Sequence, residues 1–163
     1  MGADRQRGVQ LAGGLKPDEV VADLQAAVAA LRARPEVAAA DGTPAKVGAI
    51  GYCMGGRLAY TAAALAGVDA AVAYYGGGIQ GQLALAPRIS CPVQFHYAGH
   101  DDHIPPEAVA AVGQAMAGHA GTELHVYPGS LHGFNCWARA SYHAPSAALA
   151  HGRSLVFLAQ ALA

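Results

Sequence analysis

Three side chains in this sequence could work together as a nucleophile, an acid and a base: Cys53, Asp101 and His132. Cys53 lies in the stretch Gly51-Tyr52-Cys53-Met54-Gly55-Gly56, between a short apolar run and an alanine-rich, helix-like run. A nucleophile flanked by glycines two residues before and after it, on a turn from strand to helix, is typical of a nucleophile elbow. Glycine is needed there because the strained turn leaves no room for a Cβ atom. The pattern predicts a reactive thiol; a buried cysteine on a Gly-rich turn is the alternative.

Asp101 and His132 each come soon after a predicted strand, as the thiol does. The strands that precede them cover 92–97 and 122–127. The carboxyl ends of parallel strands meet at one edge of a sheet, so the three side chains should lie together. The chain order of nucleophile, acid and histidine is one that hydrolases use. Asp102 competes for the role of the acid, and we favour Asp101 because it stands nearer the end of its strand.

The residue types assign a role to each group. His132 would accept the proton of the Cys53 thiol and later return it to the leaving group. Asp101 would orient the imidazole and stabilise its charged form. The backbone N–H of Met54, which begins the helix, would donate to the oxyanion that forms on a substrate carbonyl.

The elements that must position these residues alternate along the chain. Besides the two strands above, strands are predicted at 46–51 and 69–75, with helices from residue 17 to 35 and over 57–66, 105–118 and 146–162. Residues 1–16 show no hydrophobic period and are predicted to be a loop. Strands that alternate with helices predict a parallel sheet with helices on both faces, here as a single α/β domain over 1–163. The last helix is expected to turn its larger apolar residues inward: Leu149, Val156, Leu158, Ala159 and Leu162.

The bulk composition argues against several classes of partner. The 163 residues are 53% hydrophobic and 13% charged, with a net charge of -1, which does not favour nucleic-acid binding. No uncharged apolar run is long enough to predict a membrane span. Three widely spaced cysteines and an N-terminus without an apolar signal core favour a reducing compartment, so we expect a cytoplasmic protein.

A metal site is an alternative use of the histidines His96, His100 and His103, which lie near two aspartates. Metal ligands must converge on one point and not merely be frequent. His96 falls on a strand, where alternation directs successive side chains to opposite faces. We therefore expect no metal.

The same residues resemble the dienelactone hydrolase family, also called carboxymethylenebutenolidases. The stretches that carry the resemblance are 47–60, 68–76, 101–109 and 127–136. The resemblance implies the C-terminal portion of an α/β-hydrolase fold, with about four parallel strands flanked by helices. It also implies a Cys53-Asp101-His132 triad that hydrolyses a small lactone or ester through a thioester, without a cofactor. One of the tyrosines that end the second strand should face the site, and the resemblance suggests Tyr74; Phe134 is a second expected substrate contact.

The sequence departs from the family pattern in two ways. Members carry several strands before the elbow strand, which supply a second oxyanion donor, a glutamate near the thiol and an arginine for a substrate carboxylate. Members that cleave dienelactones also place an arginine soon after the histidine, where Arg139 is the nearest candidate. Without the earlier strands, the strand at 46–51 becomes an unpaired edge, and we expect it either to pair with a second copy in a homodimer or to make the chain poorly soluble.

Two rival interpretations remain open. A catalytically impaired remnant that acts as a binding or dimerisation module could have kept the elbow. A glutamine amidotransferase also carries a cysteine elbow, but its acid follows the histidine almost at once, whereas Gly133 and Phe134 follow His132 here.

Overall fold

A parallel sheet forms the centre of the computed structural model, which describes residues 2–37 and 42–163. The sheet has the strand order β1-β2-β3-β4, with β1 Gly48–Tyr52, β2 Ala70–Tyr74, β3 Val93–His100 and β4 Thr122–Leu131. The helices are α1 Gly2–Gly13, α2 Pro17–Arg32, α3 Met54–Leu65, α4 Pro106–Met116 and α5 Ala144–Leu162, with 3-10 segments at Pro35–Val37 and Ile79–Arg88. The predicted α/β architecture of four parallel strands flanked by helices is confirmed.

Helices cover both faces of the sheet. A Cβ on Gly48 would lie 3.0 Å from Leu162 and 3.3 Å from Leu158, so this residue faces α5. Gly51 is an odd number of positions further along β1 and faces the start of α3 instead. The interior strand β2 is buried along its whole length, as expected for a strand that is covered on both sides.

The inward face of α5 differs from the prediction. Leu149 and Val156 are 51% and 58% exposed, and Ala159 is also exposed, whereas Leu158 and Leu162 pack partly against the core as expected. The buried residues are mostly small: Ser146, Ala147, Ala150, Ser154 and Phe157. Small side chains let the helix axis approach the sheet closely, so hydrophobicity alone assigned the wrong rotation to much of the helix.

The N-terminal segment is also different from the prediction. Residues 1–16 were expected to be a loop, but Gly2–Gly13 form α1. Val9 and Leu11 are both 66% exposed, and none of the α1 side chains that the structure describes is buried, so no hydrophobic period marks the helix.

β1 lies at one edge of the sheet, as the sequence predicted, although the strand begins at Gly48 and not at residue 46. Its side chains Ile50 and Tyr52 are 46% and 42% exposed. The described helices include none that is long and apolar enough to cross a membrane.

Candidate active site

Cys53 occupies a strained turn between the end of β1 and the start of α3. Its φ of 56° and ψ of -118° are rare for a residue with a side chain. The backbone N–H donates to the carbonyl oxygen of Tyr74 at 3.0 Å, which ties the turn to the neighbouring strand. A Cβ on Gly56 would lie 2.6 Å from that same oxygen, so only glycine allows the contact. The residues around the thiol therefore hold it rigidly above the sheet edge.

The structure brings Cys53, His132 and Asp101 into one hydrogen-bonded line. The Cys53 Sγ lies 3.1 Å from His132 Nε2, and His132 Nδ1 lies 2.8 Å from Asp101 Oδ2. The side chains of His132 and Asp101 are only 9% and 1% exposed. In this arrangement Nδ1–H donates to the carboxylate and leaves Nε2 free to accept the thiol proton.

Asp101, and not Asp102, faces the histidine. Its Oδ1 also accepts the backbone N–H of His103 at 2.9 Å and that of Ile104 at 3.1 Å. These two bonds fix the carboxylate at the end of β3, while Asp102 is exposed.

A register shift between β3 and β4 lies just before Asp101 and His132 and affects where each side chain leaves the end of its strand. Their pairing is regular up to Ala98, breaks, and resumes with His100 opposite Leu131. A Cβ on Gly99 would lie 2.6 Å from Pro128 Cα, so glycine is required at this irregularity. The strands consequently run beyond their predicted ends, and the chain turns at Gly133, with φ 81°, directly after His132.

A cleft of about 350 Å³ opens beside the thiol. It is lined by Tyr52, Cys53, Tyr75, Asn135, Cys136, Trp137 and Arg139, and we call it the Cys53 cleft. Trp137 is 84% exposed at its rim. Met54, the first residue of α3, is also partly exposed, and a helix N-terminus carries backbone N–H groups that have no partner within the helix. The site thus offers aromatic surface, one cation and anion-stabilising donors.

Tyr74 and Phe134 do not line the Cys53 cleft, contrary to expectation. Both have 0% exposure. The Tyr74 hydroxyl hydrogen-bonds Ser154 Oγ at 2.7 Å, and burial raises the pKa of Tyr74 to about 12. Phe134 packs beneath the site against Tyr75 and Tyr127. Their role is to support the residues that face the cleft.

Tyr75 takes the position that was expected for Tyr74. Its φ of 36° turns the chain at the end of β2, and its ring meets that of His132 edge-on at 5.1 Å. Burial raises the pKa of Tyr75 well above its ordinary value, so the hydroxyl stays neutral. Strand alternation alone left the choice between the two tyrosines open.

His96 belongs to a buried hydrogen-bond network. Its Nδ1 lies 2.8 Å from the Tyr127 hydroxyl, and its Nε2 lies 2.8 Å from Gln94 Oε1 and 2.9 Å from Ser154 Oγ. Burial lowers the pKa of His96 to about 3, with smaller contributions from His125 and Arg153. Across residues 2–37 and 42–163, no group of three or more His, Cys, Asp or Glu residues has an arrangement that could hold a metal ion.

Comparison with known proteins assigns the family. The model of the dienelactone hydrolase family matches residues 3–162. The chain belongs to the dienelactone hydrolase family. It is 34% identical over 155 residues to a carboxymethylenebutenolidase of Pseudomonas putida, and the match covers 95% of this chain and 63% of that protein. The same figures hold for a carboxymethylenebutenolidase of Pseudomonas knackmussii, so the chain spans less than two thirds of these relatives' length.

Solved structures agree with this dienelactone hydrolase assignment. A candidate dienelactone hydrolase from Klebsiella pneumoniae superposes with a TM-score of 0.75 at 31% identity, covering 91% of this chain and 64% of the other. A dienelactone hydrolase-like promiscuous phosphotriesterase from metagenomic libraries superposes with a TM-score of 0.76 at 24% identity, covering 99% and 69%. This second likeness supports the fold alone.

Proposed function

We propose that this chain carries the reacting groups of a hydrolase for small lactones or carboxylic esters. The observation that supports this most strongly is the hydrogen-bonded line from the Cys53 thiol through His132 to Asp101, with contacts of 3.1 and 2.8 Å. A thiol beside a histidine that a buried carboxylate orients is the arrangement by which enzymes activate a cysteine nucleophile.

The first half of the proposed reaction acylates the thiol. His132 accepts the Cys53 proton as the sulfur attacks the substrate carbonyl, and the oxyanion that forms accepts a hydrogen bond from the Met54 N–H. The carbon–oxygen bond then breaks, His132 gives its proton to the leaving oxygen, and a thioester remains on Cys53. In a lactone the leaving oxygen stays attached to the acyl group.

The second half releases the product. His132 accepts a proton from water as the water oxygen attacks the thioester carbonyl. The carbon–sulfur bond then breaks, and the departing Cys53 sulfur takes the proton back from His132. Asp101 stabilises the imidazolium that forms in each half, because its carboxylate lies next to Nδ1. Side chains, backbone and water suffice for every step.

The lining of the Cys53 cleft favours a small, flat substrate with a negative charge. Tyr52, Tyr75 and Trp137 supply aromatic surface, and Arg139 supplies a guanidinium that could hold a carboxylate. A volume of about 350 Å³ suits a small molecule better than a polymer. The names of the Pseudomonas relatives, carboxymethylenebutenolidases, are consistent with such a substrate.

A binding or dimerisation module is the second candidate, and one observation favours it. The exposed side chains of Ile50 and Tyr52 lie on β1, the edge strand of the described sheet, immediately before the nucleophile. A partner at this edge would cover apolar surface and one wall of the Cys53 cleft.

Acyl trapping distinguishes the two candidates. Brief incubation with p-nitrophenyl acetate should leave an acetyl group on Cys53 in wild-type protein, detected by mass spectrometry after acid quenching. Cys53→Ala should show neither the adduct nor turnover, whereas Cys91→Ala, which changes a buried thiol, should behave like wild type. Equal turnover by wild type and Cys53→Ala would exclude the proposed hydrolase.

A further inference from the structure

The Cys53 cleft contains a second thiol that the proposed reaction does not use. Cys136 and Cys53 both line the cleft, and both are partly exposed. They are separated by 83 positions in sequence, yet Tyr75, which lines the same cleft, interacts electrostatically with each. Two accessible thiols that share one small cleft can react with each other and with the same small molecule.

The two thiols differ in their surroundings. Cys53 lies at the N-terminus of α3 and 3.1 Å from His132 Nε2, a base that can accept the thiol proton as the sulfur reacts with a peroxide. Cys136 has no comparable base within hydrogen-bonding distance among the contacts of the described residues. Cys53 is therefore the thiol that should react first with an oxidant, and Cys136 the one placed to react with the product.

We propose that Cys53 and Cys136 form a reversible redox pair, in which a peroxide oxidises Cys53 and Cys136 captures the product as a disulfide. The Cys53 thiolate attacks one oxygen of the peroxide; a sulfur–oxygen bond forms, the oxygen–oxygen bond breaks, and the departing hydroxide takes up a proton as water. The Cys136 thiol then attacks the Cys53 sulfur; the disulfide forms, the sulfur–oxygen bond breaks, and a second water leaves with the thiol proton. Sulfur loses two electrons overall, and the peroxide gains them.

When the disulfide forms, the segment that carries Cys136 moves toward Cys53. Disulfide geometry brings the two Cβ atoms to about 4 Å, and Cys53 is fixed in the elbow. Cys136 instead lies on the rim segment after His132, where Trp137, Ala138 and Arg139 are exposed. Its backbone N–H bonds only the nearby Gly133 carbonyl, at 2.9 Å, so the segment is held by local turns and not by the sheet.

Cys91 supplies the internal comparison. It is 7% exposed and lies just before β3, at the amino-terminal ends of the strands, whereas the Cys53 cleft lies at their carboxyl ends. Burial raises the pKa of the Cys91 thiol, which makes it still less reactive. The proposed pair therefore predicts that Cys53 forms a disulfide with Cys136 and not with Cys91.

The inference depends on the proposed function only in requiring an activated Cys53 thiol. The experiment treats the reduced 163-residue chain with an equimolar amount of hydrogen peroxide and quenches it with an alkylating agent. We expect the mass to fall by two hydrogen atoms, one thiol to remain alkylatable, and dithiothreitol to restore all three. Digestion should combine trypsin with an enzyme that cuts after glutamate, because no Lys or Arg separates Cys91 from Cys136 but Glu107 and Glu123 do.

Two variants make the result decisive. In Cys136→Ser, the peroxide should add one to three oxygen atoms to Cys53 instead of forming a disulfide. Dithiothreitol should then restore a smaller fraction of the thiol reactivity measured before oxidation than it does in wild type. Cys91→Ser should still form the Cys53–Cys136 disulfide. Oxygen addition to Cys53 in wild type, or a disulfide that joins Cys91 or two chains, would overturn the redox pair. A chain that hydrolyses esters but forms no such disulfide would retain the proposed function, and a chain that forms it without hydrolysis would retain only the redox pair.

Discussion

A Cβ atom on Gly51 would lie 1.9 Å from the carbonyl oxygen of Gly55, closer than any two such atoms can approach. The contact joins the end of β1 to the first turn of α3, and Cys53 lies between them. Both partners are backbone, so no side-chain rotation can relieve the overlap. The elbow therefore depends on this one missing methyl group.

Gly51→Ala should disrupt the elbow. We expect a loss of about 1–3 kcal/mol in the free energy of unfolding, since the backbone must shift to accept the methyl group. Alkylation of Cys53 should slow as well, because the thiol moves away from His132. Gly55→Ala is the matched control: a Cβ there meets nothing within 4 Å, and alanine in a helix should be neutral or stabilising. Denaturant titration of both variants measures the difference, and equal stabilities would contradict the steric argument.

Asp101→Asn should impair the proposed base without removing it. The amide can donate a hydrogen bond to His132 Nδ1 and so favour the tautomer whose Nε2 carries the proton and cannot accept one from Cys53. A comparable change in a serine protease lowers the rate by roughly 10⁴-fold, and we expect a loss of about 10²–10⁴-fold in acylation of Cys53 here. Asp102→Asn changes an exposed neighbour and should leave acylation unaffected. Stopped-flow measurement of p-nitrophenol release gives both rates; equal effects would reassign the acid.

Arg139→Gln should affect charged substrates selectively. If the guanidinium holds a carboxylate in the Cys53 cleft, its removal should raise KM for an anionic ester by about 10-fold or more, the size expected for a lost charged hydrogen bond. A neutral ester of similar shape should be hydrolysed as before, which separates recognition from a general defect. A parallel loss with both esters would indicate that Arg139 acts on the structure of the rim.

The buried His96 should make stability depend on pH. Because burial lowers its pKa to about 3, the folded state keeps His96 neutral while the unfolded state binds a proton below its ordinary value of 6.5. The free energy of unfolding therefore falls as the pH decreases from about 6.5 to about 3, with a slope of up to about 1.4 kcal/mol per pH unit. His96→Gln should flatten this slope even if it lowers stability at neutral pH. His151→Gln removes an exposed histidine and should leave the slope unchanged.

The open edge of β1 should pair with a second copy of the chain. Its outer backbone groups have no strand partner within the described sheet, and Ile50 and Tyr52 add exposed apolar surface beside them. Ile50→Lys should reduce self-association in light scattering, whereas Leu149→Lys, on the exposed side of α5, should not. A monodisperse wild-type monomer that binds no apolar dye would contradict this prediction.

Local sequence was sufficient for the four strands and most of the helices, although not for α1, and it named three residues that the fold brings together at the sheet edge. The elbow around Cys53 is a short-range pattern, because the glycines that the tight turn requires lie within three residues of the cysteine. Asp101 and His132 could be located because each closely follows a strand, and parallel strands bring their carboxyl ends to one edge. Chain connectivity thus fixed their order and approximate meeting point before any distance was known.

The tertiary structure decided what the cleft contains, because that depends on contacts between distant segments. A backbone turn at Tyr75, with φ 36°, sends that ring toward His132 and leaves Tyr74 in the core. Small residues on α5 determine which side of the helix packs, and none of the α1 side chains with a described position is buried. Cys136 joins Cys53 only through the fold of the segment after β4. The sequence by itself therefore determined the chemistry available at the sheet edge, and packing determined which side chains surround it.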